Sequence, residues 1–207
     1  MSDSSPLPAT LLSKHRLEAL SDGVFAVVMT LLVLEIKPEL EAPGGEEAVR
    51  HLLRHLILPV LTFAMAFFIS GVFWQLHHRK FSLLRHTNPM HTGLTLCFLF
   101  TVTLLPISVS IFLHAKASGL AQAVYFGNFT LIALPLLLSW LYARRAGLAD
   151  PADPTGMGAK LTRRIVTTTL MGLLATAGAY FHMRYVILLM LPVILHFRFQ
   201  DRKTAAP

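Results

Sequence analysis

The sequence predicts an all-α integral membrane protein with six transmembrane helices per subunit, and three observations carry that prediction. Only 14% of the 207 residues are charged while 54% are hydrophobic, whereas a water-soluble domain carries about 25% charged residues. The apolar residues gather into six blocks. The basic residues alternate between the connections, heavy then light, along the whole chain.

The first block, 17–36, lies within 16-RLEALSDGVFAVVMTLLVLEIKP-38, where only twelve uncharged residues separate Asp22 from Glu35. A helix crossing a bilayer needs about 20 apolar residues. As a span, this block must draw Ser21 and Asp22 to membrane depth, where a carboxylate faces protein or water rather than lipid. At about 100° per residue, Gly23, Val27, Thr30, Leu31 and Leu34 share one stripe, and Ser21 and Asp22 point to its flank or its reverse. Two arrangements satisfy this pattern. Either the stripe faces lipid and Asp22 packs inward, or the stripe faces a pore and Asp22 packs against other helices of its own subunit. Periodicity leaves both open.

The second block, 52–76, closes with 73-FWQLHHRKF-81. A first helix running outward and a second returning inward bring Trp74 and His77 near the depth of Ser21 and Asp22. An indole N–H, an imidazole and the Arg16 guanidinium all suit a buried carboxylate; anchoring at the membrane boundary accounts for the same residues. The third and fourth blocks cover 91–114 and 119–143. The fifth, 162–182, reaches the sixth, 184–199, through a tight turn at His182–Arg184. Pro59, Pro106, Pro135 and Pro192 fall inside blocks, which membrane helices tolerate. The linker 143-ARRAGLADPADPTGMGAK-160 reads as a loop. Residues 1–15 read as a polar tail without the order of a signal peptide, 16–200 as the membrane domain and 201–207 as a second tail.

Thirteen of the eighteen Lys and Arg fall on one side: Lys14–Arg16, Arg79–Arg85, Arg144–Arg164 and Arg198–Lys203. The other side holds five, with Glu39, Glu41, Glu46 and Glu47. This asymmetry predicts a multi-pass protein of the cell (plasma) membrane, embedded in the lipid bilayer with both termini cytoplasmic. The net charge of +7 comes from short clusters and not from a continuous basic face, so no nucleic-acid partner is expected. A single cysteine, Cys97, excludes an intrachain disulfide and cysteine-built metal sites. No nucleophile motif or phosphate-cradling loop appears, so no enzyme activity and no cofactor are expected. His51 and His55 share a helix face at i, i+4 but lack the metalloprotease glutamate, and Arg54 beside them repels a cation; they read as interfacial histidines, with no metal site. His77, His78, His86 and His91 lack the further ligands of a histidine-box oxidase. His77 reads either as a pH-coupled group or as a neutral structural histidine.

RLEALSDGVFAVVMTLLVLEIKP, FWQLHHRKF and the later 101-TVTLLPIS-108 together resemble the six-helix prokaryotic members of the endolysosomal transmembrane potassium channel family. The family's hallmark, an arginine, three residues, then Phe-Ser-Asp, stands here as Arg16, Leu17–Ala19 and Leu20-Ser21-Asp22. The resemblance is specific in the first three blocks; in the rest, 124-VYFGN-128 is a weaker echo. It implies a homotetramer whose four first helices line a central pore for potassium or other monovalent cations, without a Thr-Val-Gly-Tyr-Gly filter. It assigns the pore-facing layers to Val27, Leu31 and Leu34, potassium preference to Thr30, and a hydrogen-bond network to Arg16, Ser21, Asp22, Trp74 and His77. Leu20 departs from the hallmark phenylalanine, and Val27 stands where the family usually carries isoleucine or leucine, which predicts a wider, less selective throat. A plain helix-bundle core is the other reading of Val27, Leu31 and Leu34. The rival functions are a proton-coupled carrier or proton leak through Asp22 and His77, and a histidine-cluster membrane metalloenzyme.

Overall fold

The computed structural model describes residues 14–37, 45–150 and 156–181. They form α1 (Lys14–Leu31) with a 3-10 turn over Leu32–Glu35, α2 (Glu46–Ser82), α3 (Pro89–Thr103), α4 (Leu105–His114), α5 (Gly119–Arg145) and α6 (Met157–Tyr180). By length and composition, four stretches suffice to cross a membrane: Lys14–Glu35, Glu46–Ser82, Pro89–His114 and Gly119–Arg145. The predicted sixth block, 184–199, the turn at His182–Arg184 and the tail residues 1–13 and 201–207 lie outside the described residues, whereas Lys14 and His15 of the predicted tail already belong to α1.

The elements differ from the sequence reading in three places. α1 ends early, its last turn tightening to 3-10 before Ile36 turns extended at ψ 98°. Pro38 follows closely, and the residue before a proline is pushed out of the helical region. The third apolar block is two helices, broken at Leu104, because Pro106 lacks an N–H and its ring crowds the carbonyl of Val102. α2 runs 37 residues, well past the predicted 52–76. At 1.5 Å per residue it is about 55 Å long, against a hydrocarbon layer of about 30 Å, so its ends project.

Capping explains two starts. Asn88 accepts from the backbone N–H of His91 at 2.8 Å, with Pro89 in the first turn where its missing N–H costs nothing. Ser118 accepts from the N–H of Ala121 at 3.4 Å to open α5. α5 is the hub, packed against α3, α4 and most extensively α6. Tyr125 stacks on Phe112 of α4 in the core, and Phe126 and Phe129 meet the Tyr125 ring edge-on. α5 and α6 approach closely at Gly172: a Cβ there would lie 2.8 Å from the Thr130 hydroxyl. Small residues at such a crossing let backbones meet where lipid offers no hydrophobic drive.

One end of the bundle is tied by its connections. Arg85 pairs with Asp150 at 2.6 Å, backbone bonds join Arg85 to Leu148 and Asp150 to Leu83, and the Lys14 ammonium donates to the Leu84 carbonyl at 2.7 Å. The start of α1, the α2–α3 turn and the α5–α6 turn therefore lie together, as strict up-down alternation of the first four spans requires. Lys80, counted from sequence among the loop charges at this end, is instead wholly buried: it donates to the Ser139 hydroxyl at 3.0 Å and lies 4.9 Å from the Phe81 ring centre.

Candidate ion-pathway face and the polar pairs behind it

α1 has two unlike faces. Leu17, Ser21, Phe25, Val28 and, just beyond, Leu32 recur at helical spacing and are all buried. They pack toward α2, α3 and α4, with Phe25 against Phe98 at 5.8 Å between ring centres. The opposite face is open in the single chain: Val27 is 56% exposed, Leu31 42% and Leu34 65%. Gly23 and Thr30 lie on the same open face. Three large apolar side chains in one line, with a hydroxyl among them, are thus held outward by the burial of the reverse side. Although Leu34 falls in the 3-10 turn, it stays on this side.

Thr30 turns its hydroxyl back on its own helix, bonding the carbonyls of Val27 at 2.8 Å and Ala26 at 3.0 Å. Its proton is therefore engaged within the helix, and the oxygen's lone pairs are left toward the open face. An oxygen so oriented is an acceptor without a competing donor, as a cation ligand must be.

Behind the open face stand two polar pairs linking α1 and α2. The Trp74 indole N–H donates to Asp22 Oδ1 at 2.8 Å, and His77 Nε2 lies 2.9 Å from Ser21 Oγ. Ser21 also bonds the Leu17 carbonyl at 2.8 Å. The serine has one proton, and the carbonyl can only accept, so that proton goes to Leu17 and the serine oxygen accepts from His77. His77 is therefore the Nε2–H tautomer, leaving Nδ1 buried without a hydrogen-bond partner among the described residues. Its ring is clamped between Phe81 and Phe98 at 4.7 and 4.8 Å, stacked on the latter.

The predicted partners are thus divided between two environments. Ser21 and His77 are buried inside the chain. Asp22 is exposed, and Trp74 is 38% exposed, so this pair lies at the edge of the chain, not within it. Arg16 does not join either pair; it is exposed and makes no hydrogen bond or ion pair among the described residues. The reason is angular: Arg16 precedes Val27 by three helical turns and so shares the open face with Val27 and Leu31. Sequence reasoning missed the partner that does continue the series. One turn back on α1 from Asp22 is Glu18, and one turn on from Trp74 is His78, whose Nδ1 lies 3.4 Å from Glu18. The matched spacing of four residues on two antiparallel helices was the available signal. The four histidines of the predicted cytoplasmic cluster do not converge either: among the described residues, no three His, Cys, Asp or Glu side chains gather as a metal site.

Residues 16–106, which hold both faces of α1 and both polar pairs, match the family described as the endosomal/lysosomal potassium channel TMEM175. The chain is 33% identical over 142 residues to a potassium channel of Streptomyces collinus, covering 66% of this chain and 68% of that one. It is 37% identical over 145 residues to a potassium channel of Chamaesiphon minutus, covering 67% and 70%. In fold it is similar to the crystal structure of a lysosomal potassium-selective channel TMEM175 homolog from Chamaesiphon minutus, with a TM-score of 0.75, 26% identity, and coverage of 90% of this chain and 97% of that one.

Proposed function

This chain belongs to the TMEM175 family of potassium channels, and from that premise we propose that it is a passive, potassium-preferring cation channel. It works as a homotetramer of six-helix subunits in the plasma membrane, both termini cytoplasmic, with the first helix of each subunit at the central pore. The observation that carries the pore assignment is the open line of Val27, Leu31 and Leu34, opposite the face by which α1 packs into its own chain.

Four copies of that line make three apolar rings. Val27 to Leu31 is four residues, so the first two rings stand about 6 Å apart along the axis. Leu31 to Leu34 is three residues at the steeper 3-10 rise, again about 6 Å. Apolar rings give no ligands in exchange for lost water, so they pass an ion only at the cost of stripping or distorting its hydration shell. Potassium holds that shell less tightly than sodium and is favoured. The outward lone pairs of Thr30 return part of the loss, between the first and second rings. Ser21–His77 holds α1 to α2 within a subunit, and Asp22–Trp74 fixes the edge of each subunit.

Flux of potassium into liposomes containing the purified protein tests this reading. Wild-type protein is expected to conduct, and Leu31→Asn and Leu34→Asn to raise flux and lower discrimination against sodium by hydrating the throat. Unchanged flux and discrimination in both variants contradict the pore assignment. Loss of flux in Asp22→Asn with assembly intact instead supports a proton-coupled carrier or proton leak through Asp22 and His77.

A further inference from the structure

We propose that His51 and His55, near the start of α2, form a two-imidazole binding site for a borderline transition-metal cation of the zinc, nickel and copper class. The two rings stand on successive turns of one helix, with Nε2 of His55 3.1 Å from Nε2 of His51 and ring centres 4.3 Å apart. Two nitrogens at about 2.0–2.1 Å from one tetrahedral ion are roughly 3.3 Å from each other. Neighbouring nitrogens in a square-planar site are roughly 2.9 Å apart. The observed separation falls between these values, so one ion fits both nitrogens with little ring movement. The same separation suits a hydrogen bond between the rings, whose proton lies between the nitrogens, whereas an ion sits to the side of the line joining them.

The surroundings allow a cation to enter. Both histidines are exposed. They precede the apolar run Leu56–Trp74, whose nineteen residues cover about 28 Å and fill the hydrocarbon layer on their own. That places the imidazoles in water at the membrane boundary. The guanidinium of Arg50 is occupied by Glu46 at 2.5 Å. Glu47, one turn before His51, and Arg54, three residues after it, lie about 40° and 60° from His51 around the helix, so one acid and one base flank the pair on the same side. The acidic and basic residues of these first turns balance, so no net positive charge bars the ion. With no third protein ligand gathered there among the described residues, water completes the coordination. Such a site exchanges its ion readily and is suited to sensing rather than to structure or hydrolysis. It lies some 26 residues, about 39 Å, along α2 from His77, and is independent of the polar pairs.

Copper(II) titrated into the purified full-length protein in detergent tests the proposal, with bound metal measured by equilibrium dialysis and its nitrogen ligands by electron paramagnetic resonance. One ion per chain is expected at this site, with two nitrogen ligands above the background left in the His51→Gln/His55→Gln double variant. Each single variant, His51→Gln or His55→Gln, loses about tenfold or more in affinity, because the second imidazole no longer arrives from the same helix. Elution at the wild-type volume excludes misfolding, which exposed glutamines on a helix do not provoke. Single variants binding within twofold of wild type, or a wild-type spectrum no different from that of the double variant, overturn it.

Discussion

Ser21→Ala is the most informative probe of how α1 is held. The serine oxygen is fully buried and is the acceptor for His77 Nε2–H, while the Nδ1 atom on the same ring already has no partner among the described residues. Removing the oxygen leaves both nitrogens of a buried imidazole unsatisfied. A buried donor stripped of its partner costs about 1–3 kcal/mol. For a chain of this size, each kcal/mol corresponds to about 2–4 °C in Tm, so Ser21→Ala should lower Tm by roughly 4–8 °C for a mid-range loss of about 2 kcal/mol. His77→Phe in the same background removes the orphaned nitrogens and keeps a ring between Phe81 and Phe98. The double variant should recover most of the loss, because replacing both partners by apolar groups is nearly neutral. The assay is thermal unfolding of the four proteins of the cycle in detergent, followed by size-exclusion chromatography after heating. Additive effects of the two substitutions, or a Ser21→Ala variant within 1 °C of wild type, would refute the hydrogen bond as a tie between the helices.

Lys80→Met should raise Tm by a few degrees, since it removes a buried ammonium that, among the described residues, has a hydroxyl and a ring for company, and leaves Ser139 still bonded to the Leu136 carbonyl at 2.9 Å; a drop in Tm would show that the ammonium contributes more than its burial costs. Gly172→Val should destabilise by about 1–3 kcal/mol through overpacking against Thr130, read as a lower Tm with α5 and α6 separating first in hydrogen exchange; unchanged stability would mean the two helices shift apart freely. Val27→Ile should narrow the first ring, so bi-ionic reversal potentials should move toward stronger potassium preference. Strong selectivity already present in wild type and unchanged in the variant contradicts the wider-throat argument.

Much of the membrane fold was legible because bilayer crossing requires long apolar runs, and those runs stand out from 14% charge. The period of α1 separated the stripe at Val27, Leu31 and Leu34 from the reverse side, and antiparallel return of the second helix put Trp74 and His77 beside Asp22 and Ser21. Arg16 suits a carboxylate chemically, but its angle on the helix places it on the open face, away from both pairs within the chain. Asp22 was expected inside the subunit, yet the geometry of its own helix sets it at the edge, where a long indole can still reach it. Lys80 read as a surface charge because a basic residue among Arg79, Arg85 and histidines usually is one; its burial follows from tertiary packing against α5 that no local pattern encodes. The break at Leu104 was signalled by Pro106, but proline inside a membrane helix need not break it: Pro59 and Pro135 leave α2 and α5 continuous. For His51 and His55, spacing established a shared face, whereas the convergence of their nitrogens needed coordinates.

The central claim is that the open face of α1 borders a water-filled path for ions. Leu31→Cys in a Cys97→Ser background, reconstituted in liposomes and treated with a charged, water-soluble thiol reagent during potassium flux, measures this directly. The account predicts that the reagent modifies the introduced thiol and blocks flux, with the Cys97→Ser parent unaffected. A thiol left unmodified, or modified with flux undiminished, would contradict it.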